Sequence, residues 1–229
     1  MELIRGLHNL KAHHHGCVAT IGNFDGVHLG HQHVLGELAE KAEEMKLPAV
    51  VITFEPQPQE FFIPDRCPGR LTRFREKIKA LRRLAVDRVF TLHFSQKLAA
   101  MEPEDFIQQV LVDGLGVRYL VVGDDFRFGQ KRRGSFEMLQ QAGQEHGFQV
   151  VNMHTFQLAG ERVSSTLIRQ SLKEGDLDHA EILLGRPYRM CGRVAHGHKR
   201  GRQIGFPTAN IHLHRKVSPI EGVFAVEMF

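Results

Sequence analysis

The 229-residue chain has no tryptophan, two tyrosines and three cysteines. So few large polar aromatics leave little for stacking nucleic-acid bases, and no recognisable nucleic-acid module offsets the lack. Cys17, Cys67 and Cys191 are odd in number, far apart and without a CxxC pair. That argues against a disulfide framework and a structural zinc site, and favours a reducing cytoplasm. No apolar run approaches a membrane span, and residues 1–11 lack the core of a signal peptide. The expectation is a soluble cytoplasmic protein with no membrane partner. An excess of either charge is also missing: 30 Lys and Arg against 26 Asp and Glu give +4. That balance suits a phosphate-bearing ligand without choosing between nucleotide and nucleic acid.

What the chain does have is alternation. Residues 17–22, 49–54, 88–92, 118–123 and 148–154 are β-branched, nearly continuous apolar runs that read as strands. Residues 31–45, 72–85, 103–115 and 135–146 lie between or after them with apolar positions at helical spacing. Strands alternating with helices predict a doubly wound parallel α/β sheet, covered on both faces. Two more helices are expected over 165–173 and 177–184. Past Tyr188 the texture changes to short extended runs, turn signals and frequent glycine. A boundary near Gly185-Arg186-Pro187 therefore divides a first domain (1–185) from a β-rich segment (186–229). His13-His14-His15 reads as a solvated loop before the first strand rather than as a metal site.

The strongest local signal is Gly22-Asn23-Phe24-Asp25-Gly26-Val27-His28-Leu29-Gly30-His31, between the first strand and the first helix. Ligands of open parallel sheets bind at the carboxyl ends of strands, where this loop falls. Its glycines admit a bulky anion, and the helix that starts near His31 offers free N–H groups and a positive dipole end. His28 and His31, three apart, can both reach the same phosphate oxygens and favour charge developing at an attacked phosphorus. No Walker A sequence or GxGxxG occurs, which removes the usual P-loop and dinucleotide readings.

The HxGH motif resembles that of the nucleotidyltransferase superfamily, which implies a Rossmann-like fold. The longer GNFDGVHLGHQ resembles one branch of it, the adenylyltransferase module of bacterial riboflavin kinase/FAD synthetases. Further segments agree in order. Thr53-Phe54-Glu55-Pro56-Gln57-Pro58 resembles the family's TFxPHP, with Gln57 where many members carry histidine, so position 57 gets no acid–base role. Leu71-Thr72 with Glu76-Lys77 also matches. Gly123-Asp124-Asp125-Phe126-Arg127-Phe128-Gly129 resembles the family's flavin-nucleotide segment, and Val163-Ser164-Ser165-Thr166-Leu167-Ile168-Arg169 its ISSTxIR.

The resemblance implies adenylyl transfer from ATP to FMN, with Mg²⁺ accompanying ATP and FAD as product. By the same resemblance His28, His31 and Arg169 would be catalytic. Gly22, Asn23, Phe24, Asp25, Gly30, Ser164, Ser165 and Thr166 would hold ATP, and Phe54, Pro56, Asp125, Phe126, Arg127 and Phe128 would hold FMN. On the residues alone, Phe126 and Phe128 serve equally as core, and Arg127, Lys131, Arg132 and Arg133 as a solvated turn. The stretch from Gly192 to Asn210, with Pro207-Thr208-Ala209-Asn210, resembles the start of a riboflavin kinase module. There Thr208 and Asn210 would lie by magnesium, and residues 218–226 would form a further barrel strand. The kinase's catalytic glutamate is expected beyond Phe229, so a partial β-barrel segment without riboflavin phosphorylation is anticipated. Two alternatives stay open: a different HxGH transferase, which leaves GDDFRFG unexplained, and a nucleic-acid-binding protein, motivated only by the basic residues. A flavin-binding protein without turnover carries the same motifs.

Overall fold

Both faces of the central sheet are apolar, because successive strand residues turn to opposite sides and each side meets a layer of helices. The computed structural model describes residues 1–123, 125–153, 155–195, 205–206 and 208–229. In chain order the elements are β1 (Glu2–Arg5), β2 (Cys17–Ile21), α1 (Leu29–Met45), β3 (Ala49–Glu55), α2 (Pro58–Phe62), α3 (Phe74–Leu81) and β4 (Arg88–His93). Then come α4 (Gln96–Ala99), α5 (Pro103–Phe106), β5 (Val117–Gly123), α6 (Phe136–His146), β6 (Gln149–Met153), β7 (Gln157–Leu158) and β8 (Glu161–Arg162). The series closes with α7 (Ser165–Glu174), α8 (Leu177–Leu184), β9 (Arg193–Ala195) and β10 (Asn210–His212).

Six strands form one all-parallel sheet in the order β1-β4-β3-β2-β5-β6. Ala19, Val50, Ile52, Phe90 and Leu120 pack on the side of α5 and α6, where Phe106, Leu139 and Phe148 meet them. Val18, Val51, Val89 and Val121 pack on the other side against Leu35 and Leu38 of α1 and Leu81 of α3. A third cluster joins α7 and α8 through Ile168, Leu172 and Leu183, with Leu71 among them. Strand order reverses direction at β2, between β3 and β5, and that switch point opens a crevice at the carboxyl ends of the strands.

Several elements depart from the sequence expectation. Helix α1 begins at Leu29, two residues before His31, because His28 Nδ1 accepts the His31 amide at 3.3 Å and so caps the first turn. Helix α3 is confined to Phe74–Leu81, its start fixed by the Glu76 carboxylate on the Arg73 amide at 2.6 Å. The helix expected over 103–115 splits into α5 and a π-helical turn, Ile107–Val112. β1 and the β7–β8 hairpin were not anticipated, being too short to show a period. Residue 154, expected at the end of a strand, lies outside the described residues. The strand expected over 218–226 is absent among the described residues: β9 and β10 pair with each other, and Val223 is fully exposed at 101%.

Of the histidine run, expected as a solvated loop, His13 and His15 are exposed while His14 is only 2% exposed. Its Nδ1 accepts the Lys11 amide at 2.9 Å, so its proton sits on Nε2, 3.1 Å from Glu2 Oε1. Nε2 in that tautomer has no lone pair to give a metal.

Candidate active site

The loop between β2 and α1 is held in a conformation that chains seldom adopt. Phe24 and Val27 have φ of 48° and 44°, which costs about 1–3 kcal/mol each for residues with side chains. Gly26 between them has φ 85°, and a Cβ there would lie 2.8 Å from Leu71 Cδ1. Side chains from outside the loop offset this strain. Arg186 donates to the carbonyls of Gly26 and Val27, the latter at 3.0 Å, and Gln32 Nε2 donates to Val27 O at 3.0 Å. The Arg186 contacts left no signal in the sequence, because they join residues about 160 apart, whereas Gln32 closes the GNFDGVHLGHQ segment itself.

Asp25 is the hub beneath this loop, at 2% exposure. Its Oδ1 accepts the Thr72 amide at 3.0 Å and the Thr72 hydroxyl at 3.1 Å. Its Oδ2 accepts the Leu71 amide at 3.0 Å and Arg169 Nη2 at 2.5 Å. The carboxylate is thus turned toward residues 71–72 and Arg169, whereas the resemblance had it holding nucleotide. Arg169 also donates from Nε to Gly69 O at 2.7 Å, so two fixed acceptors aim its guanidinium.

His28 and His31 stack with ring centroids 3.6 Å apart. Burial pushes His28 down from 6.5 to about 4, against the pull of Asp25. Burial also holds His31 well below the usual imidazole range, helped by His28 and Lys77. Both rings are therefore neutral near pH 7. Because His28 Nδ1 accepts the His31 amide, its proton is on Nε2, which remains a donor. Gly30 lets α1 come close to the segment before α7: a Cβ would lie 3.3 Å from Val163 O.

At that neighbouring start, Ser164 Oγ accepts the Leu167 amide at 3.2 Å and caps α7. Ser165 Oγ donates to Asp25 O at 2.9 Å, tying the two helix starts together. Both starts line one cavity of about 430 Å³ at the switch point. All eleven residues expected at ATP or in catalysis, from Gly22 to Arg169, border it, with Asp125 and Phe126. Phe54, Pro56, Arg127 and Phe128 do not.

Phe128 takes the core alternative in this structure: it is buried, its ring 5.6 Å from those of Phe106 and Phe126. Arg127 is exposed, and Arg133 of the basic run pairs with Glu102 at 3.0 Å. Asp125 is exposed and takes Arg162 Nη2 at 3.1 Å. Phe54 is partly buried, in edge contact with Phe94, and Pro56 precedes Gln57. Gln57, given no role from sequence, is buried, lines the cavity and has an unpartnered Nε2. Lys77 is fully buried with Nζ unpartnered, and burial lowers its pKa against the pull of Asp25 and Glu55. The pairing of Glu76-Lys77 with a known motif was the one hint of it. Thr208 and Asn210 are exposed, Asn210 opening β10, while residues 196–204 and Pro207 lie outside the described residues.

Comparison with known proteins agrees with this geometry. A family model described as FAD synthetase matches residues 10–167, and one described as riboflavin kinase matches residues 184–229. The bifunctional riboflavin kinase/FMN adenylyltransferase of Haemophilus influenzae is 53% identical over 228 residues, covering 100% of this chain and 74% of the relative. The Escherichia coli K12 protein of the same description is 52% identical over 229 residues, covering 100% of this chain and 73% of its own length. A crystal structure described as a macrolide-efflux protein from Streptococcus pneumoniae has a TM-score of 0.82 and 28% identity, over 97% of this chain and 73% of that one. By its matched models, its relatives and its cavity between two helix starts, the chain belongs to the FAD synthetase family.

Proposed function

We propose that the chain transfers the adenylyl group of ATP to FMN, giving FAD and pyrophosphate, with His28, His31 and residues 164–169 carrying the step. The observation that carries this reading is the convergence of two helix starts on one cavity, the α1 start with two imidazoles and the α7 start with Arg169. Each start offers unbonded N–H groups and a positive dipole end to phosphate. ATP would lie between them, its α-phosphate beside His28 and His31. An oxygen of the FMN phosphate attacks the α-phosphorus; as that bond forms, the bond to the bridging oxygen breaks and its electron pair leaves with pyrophosphate. The attacking phosphate is already ionised, so no general base is needed and neutral imidazoles suffice as N–H donors. Arg169, aimed by Asp25 and Gly69, would offset charge on the leaving group. Catalysis then rests on positioning and preset charge stabilisation. Asp125 and Phe126 at the end of β5 would meet FMN, with Gln57 opposite and Phe54, Pro56 and Arg127 farther out.

Magnesium does not fit a protein-built cage here. Both oxygens of Asp25 are engaged, and among the described residues the His/Cys/Asp/Glu group close enough to share an ion is Glu2, His13 and His14, away from the cavity. The metal is therefore assigned to ATP, as Mg–ATP, which is its usual mode of entry. Thr208 and Asn210 would offer oxygens to magnesium in the riboflavin-kinase portion. A cytoplasmic location follows from the same reading, supported by three free thiols.

The test is chromatography of flavins after incubating the chain with Mg–ATP and FMN, with pyrophosphate assayed alongside. FAD and pyrophosphate in equal amounts are expected. Bound FMN that is never converted would leave a flavin-binding protein instead.

A further inference from the structure

Residues 69–76 run between two sets of bonds. On the inner side lie the contacts that build the adenylyl site. Gly69 O takes Arg169, the Leu71 and Thr72 amides hold Asp25, and Thr72 Oγ1 accepts the Gly26 amide at 3.0 Å. Arg70 forks onto Glu55 at 3.0 and 2.8 Å, at the end of β3.

On the outer side lie contacts from the portion that matches riboflavin kinase. Arg215 Nη1 donates to Arg70 O and to Tyr188 Oη, both at 2.8 Å, and its Nη2 donates to Glu76 Oε2 at 2.8 Å. Tyr188 Oη in turn donates to Leu71 O at 3.3 Å, and the Cys191 amide to Glu76 Oε1 at 3.1 Å. Arg73 Nη1 donates to Leu213 O at 2.9 Å. Gly69 touches the backbone at Ser218-Pro219 so closely that a Cβ would lie 2.9 Å from Pro219 N.

The Arg215 side chain is 2% exposed and that of Glu76 is 12% exposed. Taking a guanidinium out of water is costly unless its donors are met. Both Nη atoms have partners here while Nε is buried without one, so Nη1 and Nη2 carry the contact. Two of its acceptors, Arg70 O and Glu76 Oε2, belong to residues 69–76, whose other side aims Asp25 and Arg169. Glu76 and Lys77, neighbours on α3, thereby serve opposite sides: Glu76 takes the outer clamp, and Lys77 is sealed inside, where it feels Asp25 and Glu55.

We propose that Arg215 is a positioning residue for adenylyl transfer: it clamps the outer side of residues 69–76 and so fixes Asp25 and Arg169 at the cavity. Tyr188, Cys191, Leu213, Arg215 and Pro219 are then part of the frame of the adenylyl site. This rests on the adenylyltransferase reading above. Coupling of this kind is reciprocal, so filling the cavity must also steady the clamp.

The experiment uses the 229-residue chain and measures kcat, KM for ATP, KM for FMN and thermal unfolding. The variants are Arg215→Met, Arg215→Lys, Glu76→Gln and the Arg215→Met/Glu76→Gln pair. Arg215→Met should remain folded at assay temperature and lose on the order of tenfold to a hundredfold in kcat/KM for ATP, as a displaced site does. KM for FMN should change little. Arg215→Lys should recover part of the loss, and the pair should be no worse than its worse single member. Amide exchange over residues 213–220 should slow when FMN and a non-hydrolysable ATP analogue are bound. Should Arg215→Met fail to fold, Glu76→Gln and the exchange measurement decide. Kinetic constants within twofold of the parent in folded variants, or unchanged exchange, overturn the proposal. A parent chain that makes no FAD fails the functional reading instead, which keeps the two failures apart.

Discussion

Residues 1–184 and residues 188–229 hold their shape by different means. The first stretch closes six parallel strands between two helical layers, and Leu120, Phe90 and Ile52 have no exposure at all. Among its described residues the second has one pair of three-residue strands and leaves Val223, Val226 and Phe229 in solvent. Besides the packing of Tyr188 and Ile220 on the α7–α8 cluster, it is fastened by polar side chains, Arg215 and Tyr188, on carbonyls of one loop of the first stretch. Apolar area is non-directional and supplies stability, whereas hydrogen bonds to named atoms supply register. A region held mainly by such bonds adds little to global stability and can still govern geometry at a site.

That contrast can be broken in graded ways. The largest loss of stability is expected from Asp25→Ala, which leaves Arg169 beside an emptied buried site; urea unfolding should show about 3–5 kcal/mol. Leu120→Ala, in the sheet core, should cost about 2–5 kcal/mol by the same assay without altering KM for either substrate. Acid comes next. The unfolded His28 side chain takes a proton near 6.5 and the folded one only near 4. The unfolded state therefore binds more protons in that window, and stability falls as pH drops through it, with no change above 6.5. In His28→Gln the loss between pH 7 and pH 5 should shrink; an unchanged loss contradicts the buried neutral ring. Ser164→Ala, removing the α7 cap, should cost about 1 kcal/mol. Phe229→Ala should change stability by less than about 0.5 kcal/mol, and a larger effect would place hidden core in the second stretch.

Much of the first stretch was legible because its physics is periodic. Strands buried on both faces read as unbroken apolar runs, and the loop from Gly22 to His31 announced itself by position and residue type. Boundaries were less legible, since α1 starts where the His28 ring caps it and α3 where Glu76 does. The roles of Asp25, Arg186 and Gln57 were not readable, because each depends on neighbours brought in by the fold. Phe128 shows the reverse limit: a motif residue with chemistry to offer flavin turned into the core, where its ring meets Phe106. Arg215 lay in a segment read only as the start of a barrel, and nothing in its sequence context pointed to Glu76, which is 139 residues away.

The central claim is that two neutral, stacked imidazoles at the α1 start stabilise the charge of adenylyl transfer. Single-turnover formation of FAD by His31→Ala, with FMN affinity measured on the same sample, tests it most directly. The account predicts a loss of about 2–4 kcal/mol in barrier, roughly thirtyfold to a thousandfold in rate, with FMN binding kept. Near-parental turnover with FMN bound would contradict it.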